Sequence, residues 1–245
     1  MDTSAFLVNE DKELIVGSEA DRFYCFAIKT RVVSAEDKLE EILDQYARPL
    51  LQEGDILFIA EKMISCLQGR AIPLEEIKPG FWARFLSRHV TKNPGGIGLA
   101  MPETMQCAID ECGLLRILFA SVIGIIGKLF GRKGWFYRVA GYKAASIDGP
   151  CHWTIPPYNR YVVLGPTDPD QTALEASRLL GGATVLIVDL NDLGGQILGV
   201  STKDVDKPKM LELLTQNPLG QTDESTPMGI LRPCNARELG MRNEE

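Results

Sequence analysis

Only two histidines, His89 and His152, occur in 245 residues, and the six cysteines at 25, 66, 107, 112, 151 and 234 contain no CxxC spacing. A zinc site is therefore not expected. Cys151 and His152 are sequence neighbours, which rarely face each other, so no thiolate–imidazole pair is expected there. Long apolar runs are also missing. The greasiest stretch, Ile117 to Gly127, is bracketed by Arg116 and Lys128 and falls short of the ~20 residues needed to cross a bilayer, so no membrane partner is expected. It reads as a buried or interface helix, with Gly124 and Gly127 permitting close packing. The start, Met1-Asp-Thr-Ser-Ala-Phe6, has no basic region leading into an apolar core. With scattered cysteines, this points to a cytoplasmic protein. No GxxxxGK[ST] loop is present, since Gly124-Ile-Ile-Gly-Lys128 has the wrong spacing, and GxGxxG is absent too. The two common nucleotide-binding loops are thereby excluded. Positive charge is in deficit at a net −7, which argues against a nucleic-acid partner. The densest basic cluster, Lys128, Arg132 and Lys133, leaves room for a local phosphate contact.

What is present is an ordinary globular composition, 45% hydrophobic and 24% charged, in a chain long enough for a substantial core. Glu13–Val16 and Phe23–Ile28 read as strands. Ser34-Ala-Glu-Asp37 resembles a capping box opening an amphipathic helix through Tyr46, and Ile56–Ala60 follows as a strand. Helices are expected over 75–90, 102–112 and 115–130, with a Gly/Pro-rich loop over 93–98. Trp135 to Ile147 reads as extended chain. Tyr161–Leu164 is a strand, Asp168–Leu180 a helix, Thr184–Val188 a strand, Pro208–Leu214 a helix and Met228–Leu231 a closing strand. Strands alternating with helices predict an α/β to α+β fold, with mixed sheets and flanking helices. A single domain over 1–234 is expected, open to division into packed lobes near 1–135 and 136–234, with a polar tail at 235–245.

Twice an acid follows a short apolar segment that reads as a strand: Lys143-Ala-Ala-Ser-Ile147 runs into Asp148, and Thr184-Val-Leu-Ile-Val188 into Asp189. Asn217-Pro-Leu-Gly-Gln221 then puts an amide oxygen on a turn. Carboxylates at strand ends with a nearby oxygen donor suit Mg²⁺ or Mn²⁺, which share their ligands with phosphate. Acids also cap strands and turns for purely structural reasons.

Five patches in order resemble the coenzyme F420-0:γ-glutamyl ligase family. Gly54-Asp-Ile-Leu through Lys62, Ser65 and Gly69-Arg70 is similar to its "GDIL…K-I-V-S-K-x-E-G-R" segment, and Ile28-Lys-Thr-Arg31 sits where the family has its first nucleotide loop. Tyr142 to Asp148 resembles the segment ending in the "GID" aspartate. Val185 to Asp189 resembles the "SDT" strand, preceded by a similar Gly-Pro-x-Asp-Pro-Asp helix start. Leu219 to Pro227 is similar to the "MGQ…E…P" loop.

The resemblance implies an F420-0:γ-glutamyl ligase-like fold and a GTP- and metal-dependent ligase. It would join L-glutamate to a carboxylate acceptor such as coenzyme F420-0 through an acyl phosphate, as a homodimer. Phosphoryl transfer asks mainly for positioning and charge neutralisation, so no catalytic side chain separate from the metal site is expected. On this mapping Asp148, Asp189 and Gln221 hold the metal, with Asp192 as rival to Asp189. Lys29, Thr30, Lys62, Ser65 and Asn159, with Leu219, Gly220, Thr222, Asp223, Glu224 and Thr226, surround the nucleotide. The chain departs from the family pattern at Cys66 in place of a lysine, Gln68 in place of an acid, and Leu190 in place of a threonine. These departures keep two other readings open: a catalytically silent nucleotide or deazaflavin binder, and an interaction protein retaining only the fold.

Overall fold

A computed structural model describes residues 6–19, 21–90, 98–132, 134–191, 194–220 and 224–234. The elements begin with β1 (Ile15–Ser18), β2 (Asp21–Ile28), α1 (Leu39–Ile42, continued by a π-turn over Leu43–Ala47), β3 (Ile56–Ala60) and α2 (Glu61–Leu67). Next come β4 (Ala71–Pro73), α3 (Phe81–Ser87), α4 (Pro102–Cys112), α5 (Leu114–Leu129), α6 (Trp135–Ala140), α7 (Tyr142–Ala145) and β5 (Tyr161–Val163). The chain closes with α8 (Pro169–Leu179), β6 (Thr184–Asn191), β7 (Gly194–Val200), α9 (Lys207–Leu213) and β8 (Met228–Pro233). The class is the mixed α/β one read from the sequence. Two compact units are formed, one from 1–68 with 166–245, the other from 69–165.

The first unit is a six-stranded mixed sheet in the order β1-β2-β8-β3-β6-β7, in which only β3 and β6 run parallel. Its central strands alternate large apolar side chains between two buried faces, as expected for a sheet covered on both sides. Tyr24, Phe26, Leu57, Ile59, Val185, Ile187 and Ile230 point to one face, where Ile42 and Leu43 and then Ala173 and Ala176 of α8 cover them. Phe23, Cys25, Phe58, Leu186, Val188 and Leu231 point to the other, under Met210 and Leu213 of α9. Gly229 lets β8 pass beneath the Phe58 ring, since a Cβ there would stand 2.3 Å from Phe58 Cζ. At the opposite end of β8, Arg232 donates to Asp55 from Nε (2.8 Å) and Nη2 (2.6 Å), a buried ion pair between β8 and the turn before β3.

The second unit gathers its helices around Ala83, Leu99, Met105, Ala108, Ile117 and Ala120, beside the short β4–β5 ladder. The stretch expected to be extended, 135–147, is instead the helices α6 and α7. Gly134 (φ +82°) and Gly141 (φ +93°) take conformations that let the chain break and restart helix. Trp135 and Phe136 pack on α5: a Cβ at Gly124 would lie 3.1 Å from Phe136 Cβ, and one at Gly127 3.0 Å from Trp135 Cγ. The small residues of α5 thus serve close helix packing, as its sequence implied.

Other expectations need adjustment. Asp37 does not cap a helix begun at Ser34; its carboxylate accepts from Ser34 N (2.8 Å) and closes a turn, and the helix starts at Leu39. The expected 75–90 helix is a 3₁₀ turn (Leu74–Glu76) followed by α3. β6 does not stop at Val188 but runs on to Asn191 as one arm of a hairpin with β7. The loop over 93–98 lies outside the described residues except Gly98, and Lys133 and the tail at 235–245 lie wholly outside them.

Candidate functional site

One rim of the six-stranded sheet collects most of the residues singled out in the sequence. The paired positions Ile28, Met228, Ile59 and Ile187 form one row across β2, β8, β3 and β6. Just past that row β2 gives way to Lys29 and Thr30, β3 turns directly into α2, and β6 reaches Asp189. The segment before β8 arrives at the same rim. Strands stand about 4.8 Å apart, so Thr30 to Asp189 spans three spacings, roughly 15 Å, enough for an extended ligand.

Thr30 is buried, and its N–H donates to Ser225 O (2.9 Å) while Ser225 Oγ donates back to Thr30 O (3.1 Å). Lys29, its neighbour, is exposed. On the far side of the loop, Thr226 Oγ1 donates to Leu219 O (2.7 Å) and accepts from Asn9 Nδ2 (2.9 Å), which also donates to Pro218 O (2.9 Å). Gly220 takes φ +77°, and a Cβ on it would meet the Glu224 carboxyl carbon at 2.4 Å. The Glu224 carboxylate therefore lies against the bare Gly220 backbone. Thr226 and Leu219 hold the loop's shape with buried side chains, whereas Gly220 and Glu224 are part-exposed. Gln221, Thr222, Asp223 and the rival ligand Asp192 lie outside the described residues.

Lys62 sits in the first turn of α2, half-buried. Ser65 is 1% exposed, and its hydroxyl is shut in with no hydrogen-bond partner among the described residues. Cys66 is buried beside it, and Gln68 is tied down: its Oε1 accepts from Thr167 N (2.8 Å) and its Nε2 donates to Thr167 O (3.1 Å). Neither position can present the charge that stands there in the family pattern. Arg31, next to Thr30, is clamped by Asp37 through a short two-pronged pair. That pair, with the Ser34 N–H, holds the Asp37 carboxyl well below the usual carboxylate range.

Asp189 pairs with Gln196 in the hairpin, one residue beyond the point where the parallel ladder with β3 ends. It is not a strand terminus, as the sequence suggested, but it does mark the end of the β3–β6 pairing. Asp148 belongs to the second unit. It follows α7 rather than an apolar strand, and is exposed, with its backbone bridged both ways to Val163 (2.8 and 2.9 Å). Asn159 lies in the same unit on a 3₁₀ turn, Tyr158–Arg160, half-buried.

Among the described residues no three His, Cys, Asp or Glu side chains come together to hold a metal. On the sheet rim Asp189 offers one carboxylate, the kind of oxygen donor that hard cations of the Mg²⁺ type take. Such ions commonly take one or two carboxylates and complete their shell with phosphate and water.

A sequence model of the family described as F420-0:Gamma-glutamyl ligase matches residues 27–191, about two-thirds of the chain. The chain belongs to that family. It is also 29% identical over 150 residues to a protein of Methanopyrus kandleri named coenzyme F420:L-glutamate ligase. The match covers 61% of this chain and 50% of that relative, so the chain spans about half the length of the curated protein it resembles. In this ligase-family member the rim also depends on long-range hydrogen bonds that the sequence did not reveal. Ser225, Asn9 and Gln68 fix the loops through hydrogen bonds to partners 99 to 217 positions away. The nearest sequence signal was negative, the family acid replaced by Gln68.

Proposed function

We propose that this chain is an acid–amino-acid ligase that joins L-glutamate, or a similar amino acid, to a carboxylate acceptor such as coenzyme F420-0, with GTP as co-substrate. The observation that carries this reading is the convergence of Lys29–Thr30, the start of α2, Asp189 and the described segment just before β8 (224–227) on one rim of the sheet in a member of this ligase family. The γ-phosphoryl group of GTP would pass to an acceptor carboxylate oxygen, releasing GDP. The glutamate amine would then form the C–N bond as phosphate leaves and the amine loses its proton. Such transfers depend on positioning and charge neutralisation more than on a dedicated acid or base. Lys29 and Lys62 supply positive charge at the rim for the phosphates. A Mg²⁺ or Mn²⁺ ion, when bound, neutralises phosphate charge there. Asp189 is the donor proposed from the first unit. Asp148, Gln221 and Asp192 enter as donors on the family resemblance alone, as does the homodimer.

A second reading, a binder without turnover, is favoured by one observation: Cys66 and Gln68 are a buried thiol and an engaged amide where the family pattern has a lysine and an acid.

The deciving measurement is thermal unfolding with GTP, ATP or GDP, with and without Mn²⁺, on wild type, Asp189→Asn and Asp148→Asn. A ligand at ~100 times its Kd adds about 2.7 kcal/mol, several degrees at this size. A GTP shift that needs metal and weakens in Asp189→Asn supports the site. Glutamate-dependent GDP release with F420-0 then separates ligase from silent binder. Absence of any nucleotide shift would sink both readings.

A further inference from the structure

We infer that the second unit docks on an anionic lipid bilayer through the exposed face of α5. The helix buries Ile117, Ala120 and Gly127 against its own unit. Turned away from them is a stripe with no polar member: Leu115 (82% exposed), Phe119 (60%), Val122 (54%), Ile125 (58%), Leu129 (81%) and Phe130 (75%). A water-facing helix ordinarily carries charge on that side. Soluble monomers rarely expose contiguous apolar patches beyond ~300–600 Å², and larger ones mark protein or membrane contacts.

Charge decides between those occupants. From 112 to 147 the sequence has six Lys or Arg and no Asp or Glu. Over 69–165 it has twelve against six, a net +6 in a chain of net −7, which leaves −13 on the other unit. Arg116 and Lys128 border the stripe, Arg132 follows it, and Arg138 and Lys143 lie on α6 and α7. A second copy pairing through the same face would bring two units of net +6 together. An apolar stripe bordered by basic residues and aromatic rings fits a surface offering acyl chains beneath negative headgroups. Among the described residues no single helix is long and apolar enough to cross a membrane, and α4 and α5 meet at a bend of 115°, so the proposal is attachment in the interface plane.

The test is flotation of the full chain with vesicles of equal parts phosphatidylglycerol and phosphatidylcholine, compared with phosphatidylcholine alone. The chain should float with the anionic vesicles and be largely released by high salt. Arg132→Gln should weaken partitioning about fivefold. Phe119→Glu with Leu129→Glu should reduce it more than tenfold at an unchanged unfolding temperature. Phe119→Ser, at an exposed position, keeps the experiment readable if the double variant folds poorly, with several-fold weakening expected. Absence of flotation with anionic vesicles overturns the inference. So does flotation undiminished by the stripe variants. A concentration-dependent dimer that those variants abolish, without vesicle binding, would assign the stripe to a second copy instead and equally overturn it.

Discussion

Replacing Asp55 with alanine isolates one buried ion pair and its consequence for the sheet. The Asp55 carboxylate accepts from Arg232 Nε (2.8 Å), Arg232 Nη2 (2.6 Å) and Gln52 N (2.8 Å). Its side chain is 0% exposed and that of Arg232 6%. Arg232 Nη2 also donates to Leu50 O (2.7 Å), and its guanidinium lies 5.5 and 5.4 Å from the rings of Phe6 and Phe26. Removing the carboxylate leaves a buried cation facing a cavity, which costs about 3–5 kcal/mol. Replacing both partners by apolar residues of similar volume removes the desolvated charge as well as the bond and is often near neutral. Asp55→Ala should therefore lower the unfolding temperature by roughly 6–20 °C at 2–4 °C per kcal/mol for a chain of this size. Asp55→Leu with Arg232→Met should recover most of that loss. Urea unfolding followed by circular dichroism reads both, with an unchanged slope as the sign that stability alone has moved. A loss under about 1 kcal/mol for Asp55→Ala, or a double variant as damaged as the single one, would refute the reasoning.

Gly199→Ala places a Cβ 2.3 Å from the carbonyl carbon and oxygen of Pro169, backbone that cannot swing aside. It should cost about 1–3 kcal/mol, visible as a lowered unfolding temperature. Burial pushes the Cys25 thiol up to about 12, so Cys25 should resist thiol reagents near pH 8 in the folded protein and react once urea unfolds it; rapid native labelling, mapped by mass spectrometry, would contradict this. The Asp37 carboxyl is held below its ordinary value by Arg31, so its contribution is complete above ~pH 4 and fades as pH falls through the lowered value. Arg31→Ala should shift the urea midpoint slightly at neutral pH and less and less below pH ~4; a difference that grows on acidification would be the wrong sign.

The elements that were legible in the sequence are those whose local signals agree with their packing. Ile56–Ala60 is a pure apolar β-rich run and forms β3 over the same residues, and α4 begins at Pro102, where proline favours a first turn. Trp135 to Ile147 was read as extended chain, whereas it is helical, with Trp135 and Phe136 filling the hollows left by Gly127 and Gly124. β7 went unread because Gly194, Gly195 and Gly199 dilute its pattern, although Gly199 is what allows its approach to the start of α8. Lys29, Thr30, Lys62, Asp189 and the 219–226 segment were singled out by ordered resemblance. The hydrogen bonds of Asn9 and Gln68 that shape the rim join distant positions and leave no local mark.

The position of β8 has a consequence for how the protein is made. Its pairings with β2 and β3 put it in the interior of the sheet, although it is the last described strand to leave the ribosome. Ile59 must also find Ile187, 128 positions onward, before the parallel pair exists. Until residues 228–233 emerge, β2 and β3 each carry an open edge, and the apolar faces they share with β6 have no closed sheet to lie on. The intervening segment 69–165 can complete its local helices during that wait, whereas the rim-bearing unit assembles only through distant pairings, the kind that fold slowly. Nascent chains stalled short of residue 228 should be sensitive to proteolysis in the first unit, and the rim should be among the last features of the molecule to exist.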